Sequence, residues 1–217
     1  MNYQKFQQQI YETTLQLVED DLIRLSSGNV SLRLPDGNVA ITPSGILYTE
    51  MTPEDVVIID LDNQPVQGEH KPSSEKQLHT EIYKAREDIH AVVHTHSRFA
   101  IAFASTGMEL PVSNIEILAV GGPIPVASYA TPGTREVGLK AARHFTENPG
   151  LKALLLQNHG MVAVGKTIGE AYQNAYKAET GAEIHHLALQ TGGEVQVLTP
   201  AQIEDIFARY KKPKEQN

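Results

Sequence analysis

Apolar positions change their spacing along the chain, and each change marks an element. Phe6, Ile10, Leu15, Val18 and Leu22 recur near helical spacing, which predicts an amphipathic helix over residues 3–25. Ser26-Ser27-Gly28-Asn29 then stops it. Two β-prone runs, 30–34 and 39–42, flank Pro35-Asp36-Gly37-Asn38 and predict a hairpin, because Asp-Gly supplies turn geometry. Thr52-Pro53 opens a short helical turn before Val56-Val57-Ile58-Ile59-Asp60, which reads as a buried strand. Residues 74–86 read as a helix, 91–95 as a strand, and the stretch from Arg98 as a helix over the sheet, while 111–117 is ambiguous. Gly121-Gly122-Pro123 interrupts the chain before a strand at 124–129, and Thr134 opens a helix to about Phe145. Strands at 153–158 and 161–165 meet at His159-Gly160 and can pair as antiparallel neighbours. Thr167-Ile168-Gly169-Glu170 and Thr199-Pro200-Ala201-Gln202 are capping boxes that start the last two helices. Hairpins mixed with helices predict a largely antiparallel sheet layered with helices, not a doubly wound parallel one.

Composition narrows the function classes. With 217 residues, 41% of them hydrophobic, the chain can bury a substantial core. No composition break places a boundary, so one domain over residues 1–217 is expected, with a polar tail at about 211–217. A formal net charge of -8 argues against a general nucleic-acid binder, although an acidic protein can still carry a small phosphate site. The absence of cysteine excludes disulfides, thiolate catalysis and Cys-ligated zinc. Met1-Asn2-Tyr3-Gln4-Lys5 has no signal-peptide character, and no apolar run is long enough to span a bilayer; a soluble, cytoplasmic protein is expected.

Chemistry concentrates at strand ends. His94 and His96 are two residues apart at the end of an extended run, so both imidazoles point to one side. His159 ends another buried strand beside Gly160, and Glu75 sits at the opening of a helix. Three His and one Glu form the inventory of a catalytic divalent-metal site, where Glu75 would act as general base beside a Lewis acid. Ser26-Ser27-Gly28-Asn29, Thr42-Pro43-Ser44-Gly45 and Lys71-Pro72-Ser73-Ser74-Glu75 all offer hydroxyls and backbone N–H groups near glycine or a helix start. Singly, each is ordinary turn and cap chemistry, and Ser74 with Gln77 fits a capping box. Together with the His set they fit a site for a phosphorylated small molecule. His79 lies four residues after Glu75 on one helical face and is either a neighbour of the site or a structural residue.

In their order along the chain, Ser27-Gly28-Asn29-Val30-Ser31, Thr42-Pro43-Ser44-Gly45, Lys71-Pro72-Ser73-Ser74-Glu75, Val93-His94-Thr95-His96 and Asn158-His159-Gly160 resemble the class II aldolase/adducin-head family. Within it, the branch that cleaves L-fuculose 1-phosphate is most similar, from about residue 3 to 210. The resemblance implies an α/β fold in α/β/α layers around a predominantly antiparallel sheet, and a homotetramer of C4 symmetry with the site at a subunit interface. It implies zinc, one per chain, held by His94, His96 and His159, with Glu75 as both resting ligand and catalytic base. Phosphate would be held by Ser26, Gly28, Asn29, Ser44, Gly45, Ser73 and Ser74. The implied reaction is cleavage of a ketose 1-phosphate to dihydroxyacetone phosphate and a short aldehyde such as lactaldehyde. The same scaffold also serves sugar-phosphate epimerases, dehydratases and a non-catalytic assembly domain. Of two tyrosines that complete the family's aldolase site from a neighbouring subunit, Tyr210 matches the C-terminal one, whereas the other falls at Ile115, which has no hydroxyl.

Overall fold

The computed structural model describes residues 2–211, with side chains to Arg209. Its elements, in chain order, are α1 (Gln4–Glu19), β1 (Asn29–Arg33), β2 (Val39–Ile41), a 3-10 turn (Pro53–Asp55), β3 (Val57–Ile59), β4 (Pro65–Gln67) and α2 (Lys76–Ala85). There follow β5 (Ala91–Thr95), α3 (Arg98–Thr106), α4 (Ile115–Ala119), β6 (Val126–Ala127), α5 (Arg135–Glu147), β7 (Ala153–Leu156), β8 (Gly160–Gly165), α6 (Ile168–Gln190) and α7 (Pro200–Lys211). The strands form one sheet in the order β4-β3-β2-β1-β5-β8-β7-β6. Every pairing is antiparallel except β6 with β7.

Alternation along the strands sorts their side chains into two cores, as a period of two requires. Val30, Leu32, Val93, Leu155 and Met161 pack on one face, with Ile10 and Leu17 of α1, Phe103 of α3 and Ala175 of α6. Their neighbours Val92, Leu154, Leu156, Val162 and Val164 pack on the other, with Ile82 and Tyr83 of α2 and Phe145 of α5. Helices therefore cover both faces of a mixed, mainly antiparallel sheet, the α/β/α layering expected from the sequence.

Several elements depart from expectation. α1 ends at Glu19, about six residues early by the expected bound, because Asp21 adopts a left-handed φ of 59° and turns the chain. Leu22 is buried without being helical, so its periodic spacing extended the helical reading. The strand expected at 124–129 shrinks to Val126–Ala127. β4 is an added edge strand, fully exposed and beginning with Pro65, which the sheet tolerates at an edge. The tail expected beyond Lys211 lies outside the described residues. Among the described residues, no helix is long and apolar enough to cross a membrane.

Candidate active site

The three expected loops meet at one end of the sheet because backbone hydrogen bonds tie them together. Ser44 N donates to Lys71 O at 2.8 Å and Ser73 N to Thr42 O at 3.0 Å, joining the second loop to the third. Tyr48 OH donates to Gly28 O at 2.5 Å and holds the first. Gly28 is required here twice over: its φ is +80°, and a Cβ would stand 2.6 Å from Ile23 Cγ2 and 2.7 Å from His94 O. The result is a cavity of about 320 Å³ walled by Ser26, Ser27, Gly28 and Asn29, by Pro43, Ser44 and Gly45, and by Ser73, Ser74 and Glu75, with His96 and His159 beside them.

Beside it the four expected metal-site residues converge: Glu75, His96 and His159 line the cavity, and His94 is fully buried next to them. Glu75, His94, His96 and His159 each offer a ligand atom, and these atoms lie within 4.8 Å of one another. β5 supplies His94 and carries the chain to His96. The β7–β8 turn, in which Asn158 takes a φ of 56°, supplies His159. Close approach of β8 depends on Gly160, where a Cβ would stand 2.4 Å from Thr95 O and 3.1 Å from His94 Cε1. His94 Nδ1 lies 2.8 Å from the Met161 carbonyl, which can only accept, so this nitrogen carries the proton. In the neutral ring Nε2 then presents a lone pair to the cluster, 3.0 Å from His96 Nε2.

Glu75 Oε2 lies 3.1 Å from His94 Nε2, and Oε1 lies 2.8 Å from His159 Nε2. The second approach is not aligned as a hydrogen bond, and both Oε1 and His159 Nδ1 are buried without a hydrogen-bond partner among the described residues. Buried polar atoms normally find partners, so orphans inside a cluster of metal-competent donors fit a site for a cation. The electrostatics agree. Burial opposes ionisation of Glu75, but the charge on His94 and the approach of His159 outweigh it and hold the carboxyl well below its usual range. Burial disfavours a charged His94 as well, yet the Glu75 carboxylate overcomes this and raises it. His96 is pushed down to about 4, first by burial and then by the charges of His94 and His159.

Ser26, Gly28, Asn29, Ser44, Gly45, Ser73 and Ser74 all line the cavity. The Ser74–Gln77 capping box does not form: α2 starts at Lys76 with Glu75 as its cap residue, and Ser73 Oγ accepts from Glu75 N at 3.2 Å. Ile115 begins α4 and is 52% exposed, away from the cavity wall. The side chain of Tyr210 lies outside the described residues. Two cavity residues escaped the sequence reading, Pro132 and Gly133. Their segment, Thr131-Pro132-Gly133-Thr134, echoes Thr42-Pro43-Ser44-Gly45, a signal that was available. Ser31, His79 and Tyr83 stand behind the site in a buried hydrogen-bonded group. The polar alternation Asn29, Ser31, Arg33 along β1 and the four-residue spacing of Glu75, His79 and Tyr83 both pointed to it.

Comparison with known proteins identifies the family. Residues 8–186 match the family model described as the class II aldolase and adducin N-terminal domain. The chain is 36% identical over 212 residues to a 5-deoxy-D-ribulose 1-phosphate aldolase of Bacillus thuringiensis serovar kurstaki, covering 97% of this chain and 98% of that protein. It is 34% identical over 212 residues to the L-fuculose phosphate aldolase of Escherichia coli K12, covering 97% and 96%. A solved L-fuculose 1-phosphate aldolase superposes with a TM-score of 0.86 at 35% identity, covering 95% of this chain and 96% of that one. The chain belongs to the class II aldolase and adducin N-terminal domain family.

Proposed function

We propose that this chain is a zinc-dependent aldehyde-lyase that cleaves a ketose 1-phosphate to dihydroxyacetone phosphate and a short aldehyde. The observation that carries the reading is the convergence on one cavity of four metal-competent donors and three loops rich in hydroxyl and N–H groups. His94, His96, His159 and Glu75 would hold one divalent ion, and an imidazole-rich set of this kind suits zinc. When bound, the ion supplies Lewis acidity for the negative charge that develops on the ketose oxygens as the carbon–carbon bond breaks.

The protein's own groups do the rest. Ser26, Gly28, Asn29, Ser44, Gly45, Ser73 and Ser74 orient the substrate by its phosphate, so binding energy from a non-reacting group serves the reacting carbons. Glu75 is ionised at neutral pH and handles the proton at C3 of dihydroxyacetone phosphate, delivering it after cleavage and removing it in the condensation direction. Tyr210, reaching in from a neighbouring subunit of a C4 homotetramer, serves the departing aldehyde oxygen. Ile115 leaves it without a second phenol.

The named relatives suggest two substrates. L-fuculose 1-phosphate and 5-deoxyribulose 1-phosphate share the carbons that become dihydroxyacetone phosphate and differ in the aldehyde released, lactaldehyde from the first and acetaldehyde from the second. The test is a panel of ketose 1-phosphates and 5-phosphates with the zinc-loaded protein, scored for dihydroxyacetone phosphate and for free aldehyde. Equal amounts of both from a 1-phosphate are expected. Conversion of a 5-phosphate to its epimer, or loss of water, with no aldehyde released would assign the site to an epimerase or dehydratase.

A further inference from the structure

Behind Glu75 a chain of buried polar side chains runs away from the cavity. Asn29 Nδ2 donates to Glu75 Oε2 at 2.9 Å, and Asn29 Oδ1 meets His79 Nε2. On the far side of that ring, His79 Nδ1 lies 2.6 Å from Ser31 Oγ, which in turn lies 2.7 Å from Tyr83 OH. Ser31, His79 and Tyr83 are fully buried and Asn29 nearly so. Donor and acceptor inventories fix the direction of the chain. A carboxylate only accepts, so Asn29 turns its N–H to Glu75 and its oxygen to His79. An amide oxygen only accepts, so the neutral His79 ring carries its proton on Nε2 and accepts the Ser31 hydroxyl at Nδ1.

We propose that His79 is a positioning residue for the reaction: by donating to Asn29 Oδ1 it prevents the amide from turning over, and so keeps an N–H on Glu75 Oε2. The inference rests on the reading of Glu75 as the base. A reversed amide would set its oxygen against the carboxylate and remove the N–H that Asn29 gives to Oε2. Glu75, His79 and Tyr83 are four residues apart along α2, while Asn29 and Ser31 are two apart on β1, so one helix face meets one strand face. The contact also leaves Oε1 as the carboxylate oxygen free of hydrogen bonds, facing His159.

Two substitutions separate positioning from packing. His79→Gln can still place an N–H near the Nε2 position. His79→Asn reaches only the Nδ1 position, so it can keep Ser31 but loses Asn29. Both remove the buried ring, so both are expected to lower the melting temperature. With zinc-loaded proteins that each hold one metal per chain, kcat for cleavage is expected to fall about 10- to 100-fold in His79→Asn, the usual scale for groups that orient metal-site residues, with little change in KM. His79→Gln should stay within a few-fold of wild type. Equal losses in the two variants, or no loss in either, would overturn the positioning role, whereas an inactive wild type would instead overturn the aldolase reading. A readout that needs no turnover is the ring 15N spectrum of the zinc-loaded protein, with His79 assigned by its disappearance in His79→Gln. A proton on Nε2 supports the chain as drawn; a proton on Nδ1 overturns it.

Discussion

Asn29 and His94 are register partners across β1 and β5, and both side chains reach the same oxygen of Glu75, at 2.9 Å from Asn29 Nδ2 and 3.1 Å from His94 Nε2. Strand pairing thus sets two of the groups around the carboxylate before any helix is considered. Glu75 then enters as the N-cap residue of α2, from the face of the sheet that these two residues share. Such a site is built on rigid elements, which is what a reaction needing sub-ångström placement demands.

Loss of one imidazole should remove the metal more than it disturbs the fold. His94→Ala, His96→Ala and His159→Ala are each expected to lose bound zinc by elemental analysis, with activity below roughly a hundredth of wild type. His96 lines the cavity wall and is exposed as a residue although its ring is partly desolvated there, so its variant should keep a near-native melting temperature. Stoichiometric zinc with normal turnover in any of the three would remove that residue from the ligand set.

The loops predict a preference for phosphorylated substrate. Hydrogen bonds to a charged group contribute about 1.5–3 kcal/mol each, so Ser44→Ala or Ser73→Ala should cut kcat/KM for the phosphorylated ketose by about ten- to a hundredfold. Efficiency on the dephosphorylated sugar should barely change. A wild type equally efficient on both sugars would exclude a phosphate cradle.

Acid should destabilise the protein through His79. Burial first, then the charge of His94, push this ring down to about 3 from an ordinary value of 6.5. Below pH 6.5 the unfolded chain therefore binds a proton that the folded chain refuses. Its contribution is fully present above about 6.5 and is lost as pH falls toward 3, at up to about 1.4 kcal/mol per pH unit. Denaturant titrations between pH 6.5 and 4.5 should show a shallower slope in His79→Gln than in wild type. Identical slopes would mean that His79 is not held neutral.

Tyr210→Phe should slow aldol cleavage far more than it slows proton exchange into dihydroxyacetone phosphate, since only cleavage needs a donor on the aldehyde side. Equal loss in both assays would indicate general damage. No loss in either would make Tyr210 a packing residue.

Most of the site was legible because its residues sit where local rules operate: His94 and His96 by strand alternation, Glu75 by helix entry, the serines and glycines by turn chemistry. The hairpin of β1 and β2 and the capping box at Thr167, whose Oγ accepts from Glu170 N at 3.1 Å, were legible on the same grounds. What escaped depends on contacts distant in sequence. Leu22 keeps helical spacing while a loop buries it, and β4 pairs only because β3 leaves an open edge. Pro132 and Gly133 reach the cavity only once the turn before α5 folds against Ser74. The group of Ser31, His79 and Tyr83 was written in two separate periodicities, and neither alone says that the two faces meet.

If Glu75 and the three histidines form a metal-dependent site for proton transfer at C3 of dihydroxyacetone phosphate, exchange of that proton can be measured without knowing the aldehyde. Proton NMR of dihydroxyacetone phosphate in D2O with the zinc-loaded protein should show loss of one C3 proton. Exchange should stop on chelation, return when zinc is restored, and fall roughly 10²- to 10⁴-fold in a Glu75→Gln variant that keeps its metal. Exchange that survives chelation would remove the metal from this step, and exchange at the wild-type rate in Glu75→Gln would remove Glu75 as its base.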